Sequence, residues 1–429
     1  MRVLQCVPAL RVGGVERGTL EVDAALGCAS SLVASSGGAL AVGLRGVHLR
    51  SRALRWRNPL AVLLLNPLLL AYWVRQHQVD IIHARSRCLA ISALIVRWLM
   101  PRRVRVVVTW HGLYSSGSAW RRTLNGLLLF ADLLILPSAA VGRHLRQHYG
   151  PITILERSWR VVHRGVDAAA WRCDGCSAEA TRGAGAASES RASPSADPPI
   201  VLCVGRVSRT KGQDHLLCAL HDVGGPLQAV LLGDTGTTPS WALGPWRWLR
   251  RQVRMRSYRD RLEVEAARLR ADGARVLILP HCDTASVAAH YAAADVVVVP
   301  SRRPEAFGRV LVEALAAGRL VVSFYHGAAA ELASLLWEHG RDSGGRAGTR
   351  EPPVLVGMGV LLLGAVLLVT AGDVRGLSRA IRAALDMPER ERARRVRAAQ
   401  AAVRDRLSLV AFIDRTLAVY QELDRPTVR

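Results

Sequence analysis

Short β-branched runs, each followed by a stretch able to form a helix, recur along this chain; the series then stops and begins again. Residues 2–8 read as a buried strand, 11–18 as a glycine-rich loop and 19–26 as a helix. Residues 32–34, 80–84, 104–109 and 133–137 read as further strands, with a helix expected over 138–149 and 161–162 closing the series. Continuous apolar runs of this length fit strands covered on both faces, as in a parallel sheet. Residues 173–199 are Ala, Ser, Gly, Arg and Pro with almost no large apolar side chain, so they read as a linker. The pattern restarts with strands at 199–204, 229–232, 276–279, 296–299 and 320–323, and helices at 213–220 and 309–317, the latter closed by Gly318. The expected fold is α/β: two doubly wound Rossmann-like domains facing across a cleft, with ligands at the carboxyl ends of the strands. The expected boundaries are 1–167 for the first domain, 168–199 for the linker, 200–400 for the second domain and 401–429 for a C-terminal helix packing back on the first.

Charge narrows the partners. Lys+Arg is 58 and Asp+Glu 34, a formal net charge of +24, which draws nucleic acid, anionic lipid or phosphorylated substrates. No zinc-finger, RNA-recognition or basic-zipper pattern is present, so nucleic acid is not an expected partner. The cysteines lie mostly in apolar stretches, as thiols of a reduced cytoplasmic chain do, and Cys173-Asp174-Gly175-Cys176 has no partner pair for a metal. The apolar part of residues 1–8 is too short for a secretion signal. Three segments are unusual. Residues 59–76 are strongly apolar, with Pro67 expected to kink or break them. Residues 239–257 hold Trp241, Trp246 and Trp248 among five arginines, which suits a lipid headgroup layer or a plain basic insertion. Residues 352–372 carry no charge over 21 positions. That length can cross a bilayer, but four glycines and the following Asp373 favour a buried strand pair plus loop. Residues 374–422 read as helical, closing the chain.

Several residues could carry chemistry. Gly13 and Gly14 sit between a strand and a helix, where bare backbone and helix-end amides can approach a phosphate, although ordinary tight turns look the same. The turn Gly205-Arg206-Val207-Ser208-Arg209-Thr210-Lys211-Gly212 holds the chain's one lysine. An ammonium is a compact charge suited to phosphate, whereas a guanidinium is a planar fork. Arg206 and Lys211 with helix-end amides would neutralise a diphosphate; a solvated basic turn is the other reading. The order Thr-Lys-Gly excludes a Walker loop. Glu305 precedes the helix that carries Glu313. If both were helical they would lie roughly 12 Å apart along the axis, against about 5 Å for a retaining-glycosidase pair. Separate tasks fit better: Glu305 for sugar hydroxyls, Glu313 for a ribose diol, with the amides around Phe307 and Gly308 for a sugar or phosphate oxygen. A solvated helix face would also account for two such glutamates. His111 ends one strand and His326 another, and either can hydrogen-bond a sugar or stabilise developing charge.

Together these motifs resemble retaining GT-B glycosyltransferases of the family 4 type, over residues 1 to about 423. The similar stretches are 7–21, 83–87, 109–119, 163–167, 205–214 and 303–319. The resemblance implies that Arg206 and Lys211 bind the donor diphosphate, that the Gly13-Gly14 loop lies near it, and that Gly205 belongs to the donor site. It implies that Glu305 touches the donor sugar, Glu313 the ribose, and that His111 lies by the sugar ring. It further implies transfer of a sugar from a nucleotide diphosphate sugar to a hydroxyl with retention, without metal or other cofactor. The charge and the Trp/Arg segment point the acceptor toward a lipid-linked or cell-surface glycan such as lipopolysaccharide core, and the location toward the cytoplasmic side of an anionic membrane. Nucleotide-sugar epimerisation, phosphorolysis with pyridoxal, and a non-catalytic remnant are the competing readings. One departure stands out: 334–371 replaces the short glycine-rich hairpin usual in the family.

Overall fold

Val, Ile and Leu runs become strands in two separate sheets of the computed structural model. It describes residues 1–11, 13–56, 58–101, 103–114, 119–149, 158–171, 198–234, 257–342, 354–355 and 359–424. The linker expected at 173–199 and the Trp/Arg segment at 239–257 lie almost wholly outside the described residues. The chain divides into one unit of Met1–Gly165 with Leu409–Arg429 and a second of Val166–Ser408.

The first unit holds a seven-stranded sheet in the order β3-β2-β1-β4-β5-β6-β7. Its strands are β1 (Val3–Cys6), β2 (Ser31–Ser35), β3 (Val47–Arg50), β4 (Ile81–Ala84), β5 (Arg105–Thr109), β6 (Leu133–Leu136) and β7 (Trp159–Val161), all parallel. The helical stretch after β1 runs over Gly14–Ser30 but is interrupted at Gly27 (φ +72°), so the expected end at 26 stands while the helix starts at Gly14 and the glycine loop is shorter than 11–18. Strand β3 has no counterpart among the expected strands. It is an edge strand with intermediate and exposed positions, so no apolar run betrays it. The buried Asp23 carboxylate sets its approach by accepting from the backbone N–H of Arg45 at 2.7 Å and Gly46 at 3.2 Å. In the apolar segment before β4, Pro67 does not end the helical run: a wide π turn over Ala61–Leu65 leads directly into the helix Asn66–Gln76, so the backbone distortion expected of Pro67 sits in the turn just before it.

The C-terminal helix Leu409–Asp424 belongs to this unit. The helical stretch expected over 374–422 comprises three helices: Val374–Leu385, Glu389–Arg406 and Leu409–Asp424. Pro388 and Leu407-Ser408 break the run, so residues 401–406 belong to the middle helix. Buried Phe412, Val419 and Tyr420 pack with Val3, Ile81 and Val107. His83 on β4 links this helix to the sheet, with Nδ1 2.6 Å from the Tyr420 hydroxyl and Nε2 2.6 Å from the Thr109 hydroxyl.

The second unit holds an eight-stranded sheet in the order β10-β9-β8-β11-β12-β15-β14-β13. Strands β8 (Ile200–Val204), β9 (Gln228–Leu232), β10 (Arg275–Leu279), β11 (Val296–Val299), β12 (Leu320–Phe324) and β15 (Val366–Val369) pair in parallel. β13 (Val354–Leu355) and β14 (Val360–Leu363) add antiparallel edges. Within the uncharged 352–372 run, residues 360–369 form a largely buried hairpin: β14 turns at Gly364 (φ +56°) into β15, which pairs with β12. The bilayer-crossing alternative is corrected by this pairing, and no helix among the described residues is long and apolar enough to cross a membrane. The hairpin ends at Gly372-Asp373, and Asp373 accepts from the Gly376 N–H at 2.8 Å to cap the next helix.

Burial holds the His83 imidazole neutral, well below its usual range, and the charge of the neighbouring Arg85 adds repulsion. An unfolded histidine takes its proton near pH 6.5 while folded His83 does not, so its contribution is complete above that pH and lost below it. Stability of the first unit should fall by roughly 1.4 kcal/mol per pH unit for this group as pH drops from about 6.5. Melting curves from pH 7.5 to 5 measure this. His83→Gln should flatten the slope, whatever it does to the midpoint at neutral pH.

Candidate active site

The carboxyl ends of the strands collect the chemically distinctive side chains in each unit. In the second unit the turn after β8 ends at Gly212, in the left-handed region with φ +70°. A Cβ there would stand 2.0 Å from the Pro300 carbonyl oxygen, so only glycine permits this approach. The turn is tied to the loop after β11 by the Arg302 N–H donating to the Thr210 carbonyl at 3.0 Å. The buried Gln213 side chain donates to the Arg206 carbonyl at 3.0 Å and accepts from the Ser208 N–H at 3.4 Å. These contacts bring two distant residues together: Lys211 Nζ donates to Glu305 Oε1 at 2.8 Å.

Glu305 has further partners. The Ser301 hydroxyl donates to the same oxygen, and His326 Nε2 donates to the Ser301 carbonyl at 2.7 Å. Burial alone would push the Glu305 carboxyl up, but the Lys211 ammonium, the Ser301 hydroxyl and the field of His326 outweigh it and hold the pKa below the usual range. The carboxylate is therefore ionised at neutral pH. Gly205 and Gly308 border the pair: a Cβ on Gly205 would lie 3.8 Å from the Lys211 chain, and one on Gly308 4.0 Å from Glu305 Oε2. Ser301 escaped the sequence reading because a lone serine after a strand carries no pattern.

The helix Arg309–Ala316 starts at Gly308, also left-handed with φ +81°. Glu305 lies in the loop before it and Glu313 inside it, so the two acids belong to different elements. Glu313 is buried, with Oε1 2.7 Å from Arg309 Nε and Oε2 accepting from the Tyr291 hydroxyl at 3.4 Å. Burial and this carboxylate push the Tyr291 phenol well above its usual value, so it stays a donor. Phe307 is buried in the core, and its structural task is to anchor the loop. Arg206 is exposed on the turn.

In the first unit the Gly13-Gly14 turn opens the helix Gly14–Ser30, and His111 follows β5. A residue that the sequence reading gave no role joins them. Arg164, after β7, donates through Nη1 to the Gly14 carbonyl and through Nη2 to His111 Nδ1 at 2.7 Å. Burial, then the charges of Arg164 and Arg85, hold the His111 pKa well below its usual range. A neutral imidazole that accepts at Nδ1 carries its proton on Nε2. That buried N–H has no acceptor among the described residues, so it is a donor available to a ligand.

The structure thus groups Gly205, Lys211, Glu305 and Gly308 in one unit and Gly14 with His111 in the other, with Glu313 held separately by Arg309 and Tyr291. The family model described as Glycosyltransferase Family 4 matches residues 12–170, and that described as Glycosyl transferases group 1 matches residues 187–335. A D-inositol 3-phosphate glycosyltransferase of Xylanimonas cellulosilytica is 35% identical over 127 residues, a stretch spanning 30% of this chain and only 26% of that protein. Among solved structures, a glycosyltransferase from Rickettsia africae superposes with a TM-score of 0.75 at 22% identity, covering 99% of each chain. HepE of Anabaena in complex with UDP superposes at 0.73 and 20% identity, covering 98% of this chain and 100% of that one. The chain has the GT-B fold and belongs to the family 4 glycosyltransferases.

Proposed function

We propose that this chain moves a sugar from a nucleotide diphosphate sugar to an acceptor hydroxyl with retained anomeric configuration. The observation that carries the reading is the Lys211 ammonium fixed 2.8 Å from Glu305 on a glycine-hinged turn that leads into a helix. An ammonium has three donors; one meets Glu305 and the others suit phosphate oxygens. Arg206 adds a second cation, and amides at the start of the following helix add partial positive charge. These groups neutralise the diphosphate in place of a metal.

As the sugar–phosphate bond breaks, negative charge grows on the leaving diphosphate. Donors oriented beforehand stabilise that charge without reorganising, which makes this the largest catalytic contribution. The departing oxygen takes the acceptor's proton on the same face as the new sugar–oxygen bond forms, so no separate base is needed. Glu305, kept ionised, accepts from sugar hydroxyls, and Glu313 accepts from the ribose. Backbone groups at Gly13, Gly14, Gly205, Phe307 and Gly308 border the donor. His111 offers its Nε2–H to the sugar. The complex of Anabaena HepE with UDP-glucose makes that compound the first donor to test. The acceptor is a lipid-linked or cell-surface glycan of the lipopolysaccharide-core kind, met on the cytoplasmic face of an anionic membrane. The +24 charge of the chain supports that choice.

Lys211→Ala should lower turnover by more than about a hundredfold, the scale for losing one prepositioned charge contact, measured below the variant's own melting temperature. Near-normal transfer by a folded variant overturns the role. His111→Ala should lower kcat by roughly a hundredfold or more, the scale for losing one prepositioned donor. Because His111 is neutral well below pH 6.5, the parent's pH–rate profile should show no limb near that value belonging to it. A limb there that disappears in the variant would contradict this electrostatic assignment.

A further inference from the structure

The helical segment between β3 and β4 presents the wrong kind of face to water. Ala61, Val62, Leu70, Trp73 and Val74 are buried, as the inward stripe of a surface helix should be. The outward positions should then be polar, yet they are not. Leu60, Leu64, Leu68 and Tyr72, at every fourth residue, are 68, 53, 59 and 59% exposed. No charged residue occurs from 58 to 74. The helix Arg87–Leu99 packs beside this segment and ends with Trp98, 78% exposed. The turn Leu127–Phe130 packs against that second helix and exposes Phe130. Three neighbouring elements therefore leave large apolar side chains in water, a pattern that marks an interaction surface.

Charge selects the occupant. Residues 45–130 contain fourteen arginines and a single acidic residue, Asp80. Arg52, Arg55, Arg75 and Arg122 are exposed on the elements just described or next to them. A second copy of this chain would bring the same positive charge to the contact and be opposed by it. An anionic leaflet brings the opposite charge, and arginines beside a Leu/Trp/Tyr face are the composition of a segment lying in the headgroup layer.

We infer that the face formed by Leu60, Leu64, Leu68, Tyr72, Trp98 and Phe130 docks the first unit in the plane of an anionic lipid leaflet. The inference deepens the membrane part of the proposed function and rests on that part alone, since it needs no sugar chemistry. The test is flotation of the full chain with vesicles of phosphatidylcholine containing phosphatidylglycerol, and with phosphatidylcholine alone. The parent should float with the anionic vesicles and much less with the neutral ones. Leu64→Glu with Leu68→Glu should reduce partitioning by about tenfold or more, with an unchanged melting temperature and an unchanged thermal shift with UDP-glucose. Trp98→Glu, on a separate helix, should weaken flotation in the same direction and serves if the double variant does not fold. Equal flotation of parent and folded variants overturns the assignment of this face. A parent that never floats overturns docking itself, while transfer to a soluble acceptor is scored independently. A change from dimer to monomer in the variants, without flotation of the parent, would make the face a contact between copies and also overturn the proposal.

Discussion

The carbonyl oxygen of Pro300 occupies the place where any side chain at residue 212 would have to go. That close approach draws the ends of β8 and β11 together, and the rest of the second unit's chemistry follows from it. The Arg302 N–H reaches Thr210, the Arg302 guanidinium reaches Asp214, and the Tyr258 hydroxyl donates to Asp214 at 2.8 Å. With the two loops bound in this way, Lys211 and Glu305 meet across 94 positions of sequence. A half-buried pair of this kind is weak evidence for stability, because desolvation offsets much of the attraction. Its consequence is orientation. An ammonium already anchored, with donors to spare, has lost the freedom that it would otherwise lose on meeting a diphosphate.

The first unit solves a different electrostatic problem with a different cation. Arg164 must reach two acceptors at once, the Gly14 carbonyl and His111 Nδ1, and the separate Nη atoms of a planar fork are spaced to do this. The positive charge also works against protonation of the imidazole, and the hydrogen bond donated to Nδ1 fixes the tautomer that leaves Nε2–H as the donor. Lysine at one position and arginine at the other thus match two distinct geometries. The solitary lysine of the sequence stands where the contact is to a single carboxylate oxygen.

The parallel sheets were legible because strands buried on both faces have few polar residues to disguise them, as in Val296–Val299, fully buried along its length. β3 was hidden by the same logic: an edge strand reading Val-His-Leu-Arg carries no apolar signature. The uncharged run at 352–372 was ambiguous by length alone, since periodicity does not separate a buried hairpin from a membrane helix. Its pairing with β12, more than forty residues earlier, decides the matter and is not visible locally. Glu305, Glu313 and Lys211 were legible as residue types in a spaced pattern. Arg164 was not, because an arginine in an arginine-rich chain is noise until its partners, 53 and 150 residues away, are known.

The net charge of +24 raises the question of whether the arginines merely reflect composition. A general replacement of lysine by arginine changes the kind of cation but leaves the acids where they were. The acids are not evenly placed. Residues 374–424 carry eleven arginines and seven acids, and their helices pair some of them, as Arg395 with Glu391 at 2.7 Å. Residues 45–130 carry fourteen arginines and one acid. Drift alone would leave both stretches with similar balances. The excess instead concentrates in the stretch whose outward helix face is leucine and tyrosine rather than polar. Apolar exposure opposes solubility and like charge opposes self-association, so each is a liability that the other partly offsets in water. Only a partner that is both anionic and able to receive apolar side chains uses the two together, and a lipid leaflet has both properties.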